Sequence, residues 1–328
     1  MTAALEVAGL TVEIAGPTGP ATVLADVSFT LAPGEVLGVV GESGAGKSLA
    51  GLAVLGLLEP PVRRVAGSVT LAGRRIETLP ERSMRALRGR QIGAVFQDPL
   101  TSLNPLRTVG YQLVQTIRAH LPLSRAAAAQ RALTLLEQVG IPAPKQRLGS
   151  FPHQLSGGMR QRVVLALAFA CDPAVIIADE PTTALDVSIQ AQVIALLKQM
   201  CRERGTAAML ITHDMGVIAE AADRVAVMYA GRIVETGAAA RILQAPVHPY
   251  TAGLMASIPG LHRSPGPLPQ IPGAMPRPGA LPAGCAFHPR CPFCRDRCRD
   301  ERPPLRAAGT DSVACWVATL PREAAYAA

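Results

Sequence analysis

Gly41-Glu42-Ser43-Gly44-Ala45-Gly46-Lys47-Ser48 fits the pattern G-x-x-x-x-G-K-[ST]. The chemistry of such a stretch lies in its backbone. Glycines at 41, 44 and 46 let successive N–H groups curl inward around phosphate oxygens, and a helix starting there adds its positive dipole end. Lys47 is placed to reach the β- and γ-phosphates of a nucleotide, and the Ser48 hydroxyl to ligate Mg2+. A glycine-rich strand-to-helix turn with an unrelated lysine is the competing reading. Against it, an apolar run from Val36 to Val40 precedes the loop and a helix-like run from Leu49 to Leu58 follows, the flanks that chance matches lack.

Other stretches carry groups suited to the same chemistry. Val175-Ile176-Ile177-Ala178 is a buried-strand run ending in Asp179-Glu180. There Asp179 can hold Mg2+ and Glu180 can act as general base toward water, although a core strand meeting a polar loop looks the same in isolation. Ser156-Gly157-Gly158 opens a helix and offers free backbone N–H groups as a second anion site. Its distance along the chain leaves its relation to the first loop unassigned. Five of the seven cysteines, at 285, 291, 294, 298 and 315, crowd into the C-terminal tail. Thiolates are soft ligands for iron–sulfur clusters or zinc, and Cys291-Pro292-Phe293-Cys294 is a C-x-x-C pair of the kind structural zinc sites use. Cysteines that merely pack are the third possibility.

The elements that position these residues are legible in outline. Residues 5 to 31 alternate apolar and polar around the turn-rich Gly16 to Pro20, giving antiparallel strands. Gly67 to Ile76 and Gln91 to Phe96 read as strands, Val109 to His120 as a helix, and Ser124 as the N-cap of a helix running to Val139. From Gly157 the chain alternates: helix to Ala170, strand Ala174 to Ala178, helix Val187 to Arg204, strand Ala207 to Ile211, hairpin Arg224 to Glu235. Such alternation predicts an α/β fold with a largely parallel sheet. Residues 98–158 form an inserted helical subdomain, residues 1–257 one nucleotide-binding domain, and residues 258–328 a Pro/Gly-rich linker with a cysteine-rich module.

Composition narrows the class. Of 328 residues 49% are apolar but only 3% aromatic, so the core is built from Ala, Val, Leu and Ile, which favours α/β over an aromatic-rich β-sandwich. No run of 18 or more uncharged apolar residues occurs, and the first ten residues lack the basic start and long apolar segment of a secretion signal. A cytoplasmic chain is expected, where structural disulfides are rare. The net charge of +8 is spread without a basic, aromatic-interleaved patch, so nucleic acid is not an expected partner.

Taken together, Gly41 to Ser48, Gln97, Leu155 to Gln161, Asp179-Glu180, Ala184-Leu185-Asp186 and His213 resemble, in order and spacing, the ATP-binding subunits of ABC transporters. The resemblance covers residues 1 to about 240 and implies an ABC-type P-loop domain with an antiparallel β subdomain and a helical insertion. It implies ATP and Mg2+ as ligands and a head-to-tail ATPase dimer. Ser156, Gly157 and Gly158 of one subunit then close over the γ-phosphate held by the other's Lys47, and Asp186 contacts the opposing subunit. Gln97 touches Mg2+ and the water, and His213 orients the γ-phosphate. By itself a histidine after a strand is more often a satisfied polar group.

Phe96 to Pro105, His248-Pro249-Tyr250-Thr251 and the stretch from Gly284-Cys285 to Leu305 are similar to the dipeptide/oligopeptide importer branch, which includes nickel importers. The implied setting is the cytoplasmic face of the cell membrane, with a second ATPase subunit (a related partner or itself), two transmembrane permease subunits and, indirectly, an extracytoplasmic solute-binding protein. Some members carry a [4Fe–4S] cluster in the tail, and Cys285, Cys291, Cys298 and Cys315 match that spacing. The alternatives are nickel or another small solute as cargo, or a soluble ABC ATPase acting on nucleic acid or ribosomes. The latter usually has tandem ATPase domains or a long coiled-coil insertion, neither of which is visible. At position 14, where many members stack an aromatic on adenine, this chain has Ile14, a loss of about 1 kcal/mol in stacking.

Overall fold

The computed structural model describes residues 2–17, 19–98, 102–183, 185–258, 270–308 and 311–318. Pro99 to Thr101, Ala184 and Pro259 to Pro269, which belong to stretches singled out above, lie outside the described residues. In chain order the elements are β1 (Leu5–Gly16), β2 (Gly19–Leu31), β3 (Val36–Val40), α1 (Lys47–Leu55), β4 (Val62–Leu71), β5 (Arg74–Arg75), α2 (Glu81–Leu87) and β6 (Ile92–Val95). There follow α3 (Val109–His120), α4 (Arg125–Gln138), α5 (Pro144–Arg147), α6 (Gly157–Ala168), β7 (Val175–Asp179), α7 (Val187–Arg204) and β8 (Ala207–Ile211). The chain continues through α8 (Met215–Ala221), β9 (Arg224–Tyr229), β10 (Arg232–Ala238), α9 (Ala239–Gln244), α10 (Pro249–Ala256), α11 (Asp296–Asp300), β11 (Arg306–Ala308) and β12 (Asp311–Val313). Two compact units result. One comprises Met1–Glu6, Thr30–Val36 and Thr70–Ile211; the other comprises Val7–Phe29, Leu37–Val69 and Thr212–Ala328.

In the first unit β6, β7 and β8 pair in parallel, with Ala94 opposite Ile177 and Ile177 opposite Met209. Val175 to Ala178 and all of β8 are buried, the continuous apolar run of strands covered on both faces. Their common direction brings Asp179, at the end of β7, level with Ile211. The helical part packs α3 on α4: Val109, Leu113 and Ile117, four residues apart, bury one face, as do Ala128, Ala132, Leu135 and Leu136. Thr108 and Ser124 cap these helices by accepting from the Tyr111 and Ala127 N–H groups. Arg131 ties α4 to the loop after α6 through the Ala170 carbonyl (2.7 Å) and Asp172 (2.6 Å).

In the second unit β1, β2 and β4 lie in the order β2-β1-β4, and a separate sheet runs β11-β12-β10-β9-β3. β3 and β9 are parallel, whereas β9 and β10 form an antiparallel hairpin. The tail is woven into this unit rather than standing apart from it. β12 pairs with β10, Glu235 opposite Val313, and buries Val313. Although aromatics are scarce in the sequence, Tyr229, Tyr250 and Phe287 are all buried here and meet edge to face at 4.6 to 5.4 Å between ring centroids, the geometry aromatic quadrupoles favour.

Two local expectations change. The strand expected over Gly67 to Ile76 is instead a hairpin, because Ala72 and Gly73 take positive φ (47° and 82°) and reverse the chain between β4 and β5. Helix α2, absent from the sequence reading, buries only Met84 and Leu87, too few apolar residues for a readable period. Among the described residues no helix is long and apolar enough to cross a membrane.

Candidate functional site

The second unit holds the glycine-rich loop, strand β3 before it and helix α1 after it. Gly41 has φ 150°, and a Cβ there would lie 2.2 Å from the Met228 carbonyl oxygen; Gly46, the N-cap of α1, has φ 99°. Only glycine suits both positions, and the loop is curled as a result. Lys47 is 7% exposed and turns its ammonium inward, donating to the carbonyls of Gly41 (2.8 Å) and Glu42 (3.1 Å). Ser43, Gly44 and Ser48 are exposed and Ala45 is buried. The loop is held from outside by the Gly231 N–H, which donates to the Ala45 carbonyl (3.0 Å). His213 is exposed directly after Thr212, whose N–H bonds the Val39 carbonyl (3.2 Å). β3 therefore delivers the loop and His213 side by side. A curled cradle of backbone N–H groups with a buried lysine fits a nucleotide polyphosphate. Ile14, on β1, is half-buried.

The first unit holds the carboxylates. Asp179 and Glu180 are half-buried at the end of β7. Glu180 has φ 46°, the left-handed region that a non-glycine residue enters at a cost, and its N–H is fixed by the Ile211 carbonyl at 2.8 Å. Its Oε2 accepts from the Thr183 hydroxyl (2.9 Å) and the Gln97 amide (3.3 Å). Strand packing thus brings Gln97, just beyond β6, to Glu180, just beyond β7. Such a carboxylate, oriented by two neutral donors, can accept a proton from water.

Ser156 is exposed and caps α6, accepting from the Met159 N–H at 3.4 Å. A Cβ at Gly157 would meet Leu185 at 3.5 Å, and one at Gly158 would meet Ile189 at 2.6 Å. Gly158 therefore packs closely against the start of α7, whose N-cap is Asp186. Asp186 accepts from the Ile189 N–H (3.0 Å) and the Ser188 hydroxyl (2.9 Å), and these bonds hold its carboxyl below the usual aspartate range.

In the tail, Cys285, Cys291, Cys298 and Cys315 line one small cavity of about 10 Å³ together with His248, His288, Phe287 and Trp316. Burial pushes the Cys285 thiol up to about 11 and that of Cys291 up to about 12, and the neighbouring thiols push the same way. Cys294 is not among the lining residues; its thiol donates weakly to the Arg295 carbonyl (3.6 Å). The C-x-x-C pair, the basis of the zinc alternative, is thus split. Among the described residues no group of three or more His, Cys, Asp or Glu side chains is arranged to hold a metal ion. The four cysteines line a space roughly the size of one water.

Four residues outside the glycine-rich loop shape its surroundings. Glu235 is completely buried, and its carboxylate is satisfied by Arg241 (2.5 Å) and by the N–H groups of Val247 and His248 (2.8 Å each). His248 in turn caps α10 by accepting from the Tyr250 N–H (3.0 Å). Tyr250 reaches the glycine-rich loop: its hydroxyl accepts from the Glu42 N–H at 2.8 Å. Arg290 clasps the Glu42 carboxylate. The His248-Pro249-Tyr250-Thr251 stretch was a visible signal for Tyr250; nothing in the sequence singled out Glu235 or Arg290.

Comparison with known proteins agrees with this geometry. The family described as ABC transporter matches residues 24–183, and the one described as oligopeptide/dipeptide transporter, C-terminal region, matches residues 234–298. The chain is 46% identical over 303 residues to the dipeptide transport ATP-binding protein DppD of Escherichia coli (strain K12), covering 92% of this chain and 93% of that one. It is 48% identical over 303 residues to the oligopeptide transport ATP-binding protein OppD of Salmonella typhimurium, covering 92% and 90%. Among solved structures, the ATP-binding cassette MJ0796, dimeric in a post-hydrolysis state with ADP and Pi, superposes with a TM-score of 0.64 at 26% identity over 72% of this chain and 98% of that one.

Proposed function

Because this chain belongs to the ABC transporter family of ATP-hydrolysing subunits, we propose that it drives the import of peptides, working in an ATPase dimer docked on membrane permease subunits. The observation that carries the cargo class is the pair of relatives at 46% and 48% identity, joined to a match of residues 234–298 to the C-terminal region of oligopeptide/dipeptide transporters. Residues 1–257 serve as the ATP-binding domain, with the helical subdomain at about 98–158 facing the permeases, and residues 258–328 as a Pro/Gly-rich linker and cysteine-rich module whose β12 pairs back onto β10. The complex sits at the cytoplasmic face of the membrane. Its second ATPase is a related chain or another copy, and an extracytoplasmic binding protein delivers the cargo.

Each site residue receives a role. Gly41 to Ser48 wrap the phosphates, with the Lys47 ammonium leaving its loop carbonyls for the β/γ-phosphate oxygens. Ser48, Asp179 and Gln97 are the oxygen donors for Mg2+, which supplies positive charge against the phosphoryl oxygens when bound. Glu180 takes the proton of the attacking water, steered by Gln97. His213 orients the γ-phosphate. Ser156, Gly157 and Gly158 present backbone N–H groups to the nucleotide of the opposing subunit, and Asp186 lies at that junction. The exposure of Ser156, Gly157 and Asp186 supports such a use. The rate gain comes from positioning and charge complementarity rather than covalent chemistry.

Cys285, Cys291, Cys298 and Cys315 are the residues that would hold a [4Fe–4S] cluster. The support is the chemistry of the donor set: the four cysteines line one cavity, and thiolates, formed with loss of the thiol protons on binding, are the ligands such a cluster takes. Its contribution would be to fold the tail. The cargo reading is tested by reconstituting the complete importer and measuring ATP hydrolysis with its binding protein and dipeptide, oligopeptide or Ni2+. Peptide-stimulated turnover is expected; stimulation by Ni2+ alone would overturn it.

A further inference from the structure

Glu42 sits at an unconstrained position of the G-x-x-x-x-G-K-[ST] pattern, yet it is tied through both its carboxylate and its backbone N–H. Its carboxylate receives a parallel fork from Arg290, Nη1 to Oε2 at 2.8 Å and Nη2 to Oε1 at 2.9 Å. This is the geometry that gives Arg–carboxylate pairs their strength and directionality. The Arg290 side chain is 7% exposed and that of Glu42 28%, so solvent screens the pair only in part. The rest of the guanidinium is also committed: Nε donates to the Pro272 carbonyl (2.8 Å), Nη1 to the Tyr229 hydroxyl (3.4 Å) and Nη2 to the Ile271 carbonyl (3.5 Å). It also lies 5.8 and 5.9 Å from the Tyr229 and Phe287 ring centroids, within cation–π range. Hydrogen bonding to Glu42 raises the Arg290 pKa against the opposing pull of burial.

The Glu42 backbone is held from the same side, since its N–H points to the Tyr250 hydroxyl (2.8 Å). One residue of the glycine-rich loop therefore has both its carboxylate and its amide turned outward, onto a buried wall of Tyr229, Tyr250, Phe287 and Arg290. The carbonyls of Gly41 and Glu42 meanwhile face inward to Lys47. Glycine-rich backbone is otherwise free to sample many conformations, and a loop fixed in its bound shape beforehand binds more tightly because less must be ordered on binding.

We propose that Arg290 is a positioning residue for ATP: by fixing Glu42 it holds the loop from Gly41 to Ser48 in its phosphate-binding curl, so that a residue of the C-terminal tail sets nucleotide affinity. The proposal rests on the reading of this loop as the ATP phosphate site.

The test measures Mg2+-AMP-PNP affinity of the full chain by calorimetry, and KM and kcat for ATP in the assembled complex, for Arg290→Met, Arg290→Lys, Glu42→Gln and Arg290→Met/Glu42→Gln. Thermal unfolding is followed in parallel. Arg290→Met and Glu42→Gln should each raise Kd about tenfold, the scale of one lost charge-assisted pair. The double variant should be no worse than either single one, Arg290→Lys should fall between, and the loss should appear in KM more than in kcat. If Arg290→Met folds and binds within twofold of wild type, even with a lower melting temperature, the pair only anchors the tail and the proposal fails. It fails equally if the two single effects add in the double variant. Should Arg290→Met not fold, Glu42→Gln, which leaves the tail intact, decides by the same twofold criterion. Lys47→Ala separates the two levels: binding unchanged in that variant means the loop is not the phosphate site, and the earlier reading fails instead.

Discussion

The two units hold their candidate site groups in different ways. In the second unit the glycine-rich loop is restrained from outside and within, by Arg290 and Tyr250 on Glu42, Gly231 on Ala45 and Lys47 on the loop's own carbonyls. In the first unit the Glu180 carboxylate accepts from a hydroxyl and an amide among its partners, and Ser156, Gly157 and Asp186 stand exposed at helix N-termini. The difference follows from what each must do. A cradle for a polyphosphate gains affinity from being formed beforehand. On the proposed function, groups that meet a second subunit must stay accessible until it arrives, and exposed N–H groups at a helix start cost little in water.

If that contrast is right, damage to the first unit should reach turnover and damage to the second should reach binding. The largest effect is expected at Glu180. Glu180→Gln keeps the shape and the Gln97 and Thr183 neighbours but removes the base, so ATP turnover of the assembled complex should fall about 10²-fold or more while nucleotide binding persists. Near-normal hydrolysis would sink the assignment, and lost binding would break the contrast itself. Tyr250→Phe comes next. It leaves the Glu42 N–H without its partner, so the chain should lose about 1 kcal/mol of stability and bind Mg2+-AMP-PNP a few times more weakly, with kcat less affected. An unchanged affinity in calorimetry would mean that the hydroxyl only supports the core.

The smallest effect concerns Asp186. Its carboxyl is held below the ordinary range by the Ile189 N–H first and the Ser188 hydroxyl second, so the ionised form is favoured on folding. The stabilisation is complete above the unfolded-state pKa of about 4 and disappears as pH falls through the lowered folded-state value. Asp186→Asn keeps a capping oxygen but cannot titrate. Melting temperature followed from neutral to acid pH should therefore fall slightly less steeply in the variant; superimposable curves would show that the cap does not feel its charge.

How far each part was legible depends on how far apart its partners lie. Helix α7 and strand β8 have the bounds their apolar runs suggest, and Thr108, Ser124, Ser156 and Asp186 each cap a helix through an N–H three residues on. Those contacts close within one turn, so local sequence alone determines them. The glycine-rich loop is likewise written in its own eight residues, since φ 150° at Gly41 and 99° at Gly46 need glycine wherever the loop is placed. The tail was legible only as a cysteine spacing. Its two described strands are three residues each, and no period marks β11 or β12. Nor could the sequence say that Arg290 would meet Glu42 248 positions away, that Tyr250 would reach the same residue from 208 positions away, or that Cys294 would be left out of the thiol cavity. Those pairings are decided by sheet register and by which side chains share a desolvated wall. Both are properties of the packed chain: burial makes an ion pair or a phenol hydroxyl matter, and no local stretch of sequence contains its own burial.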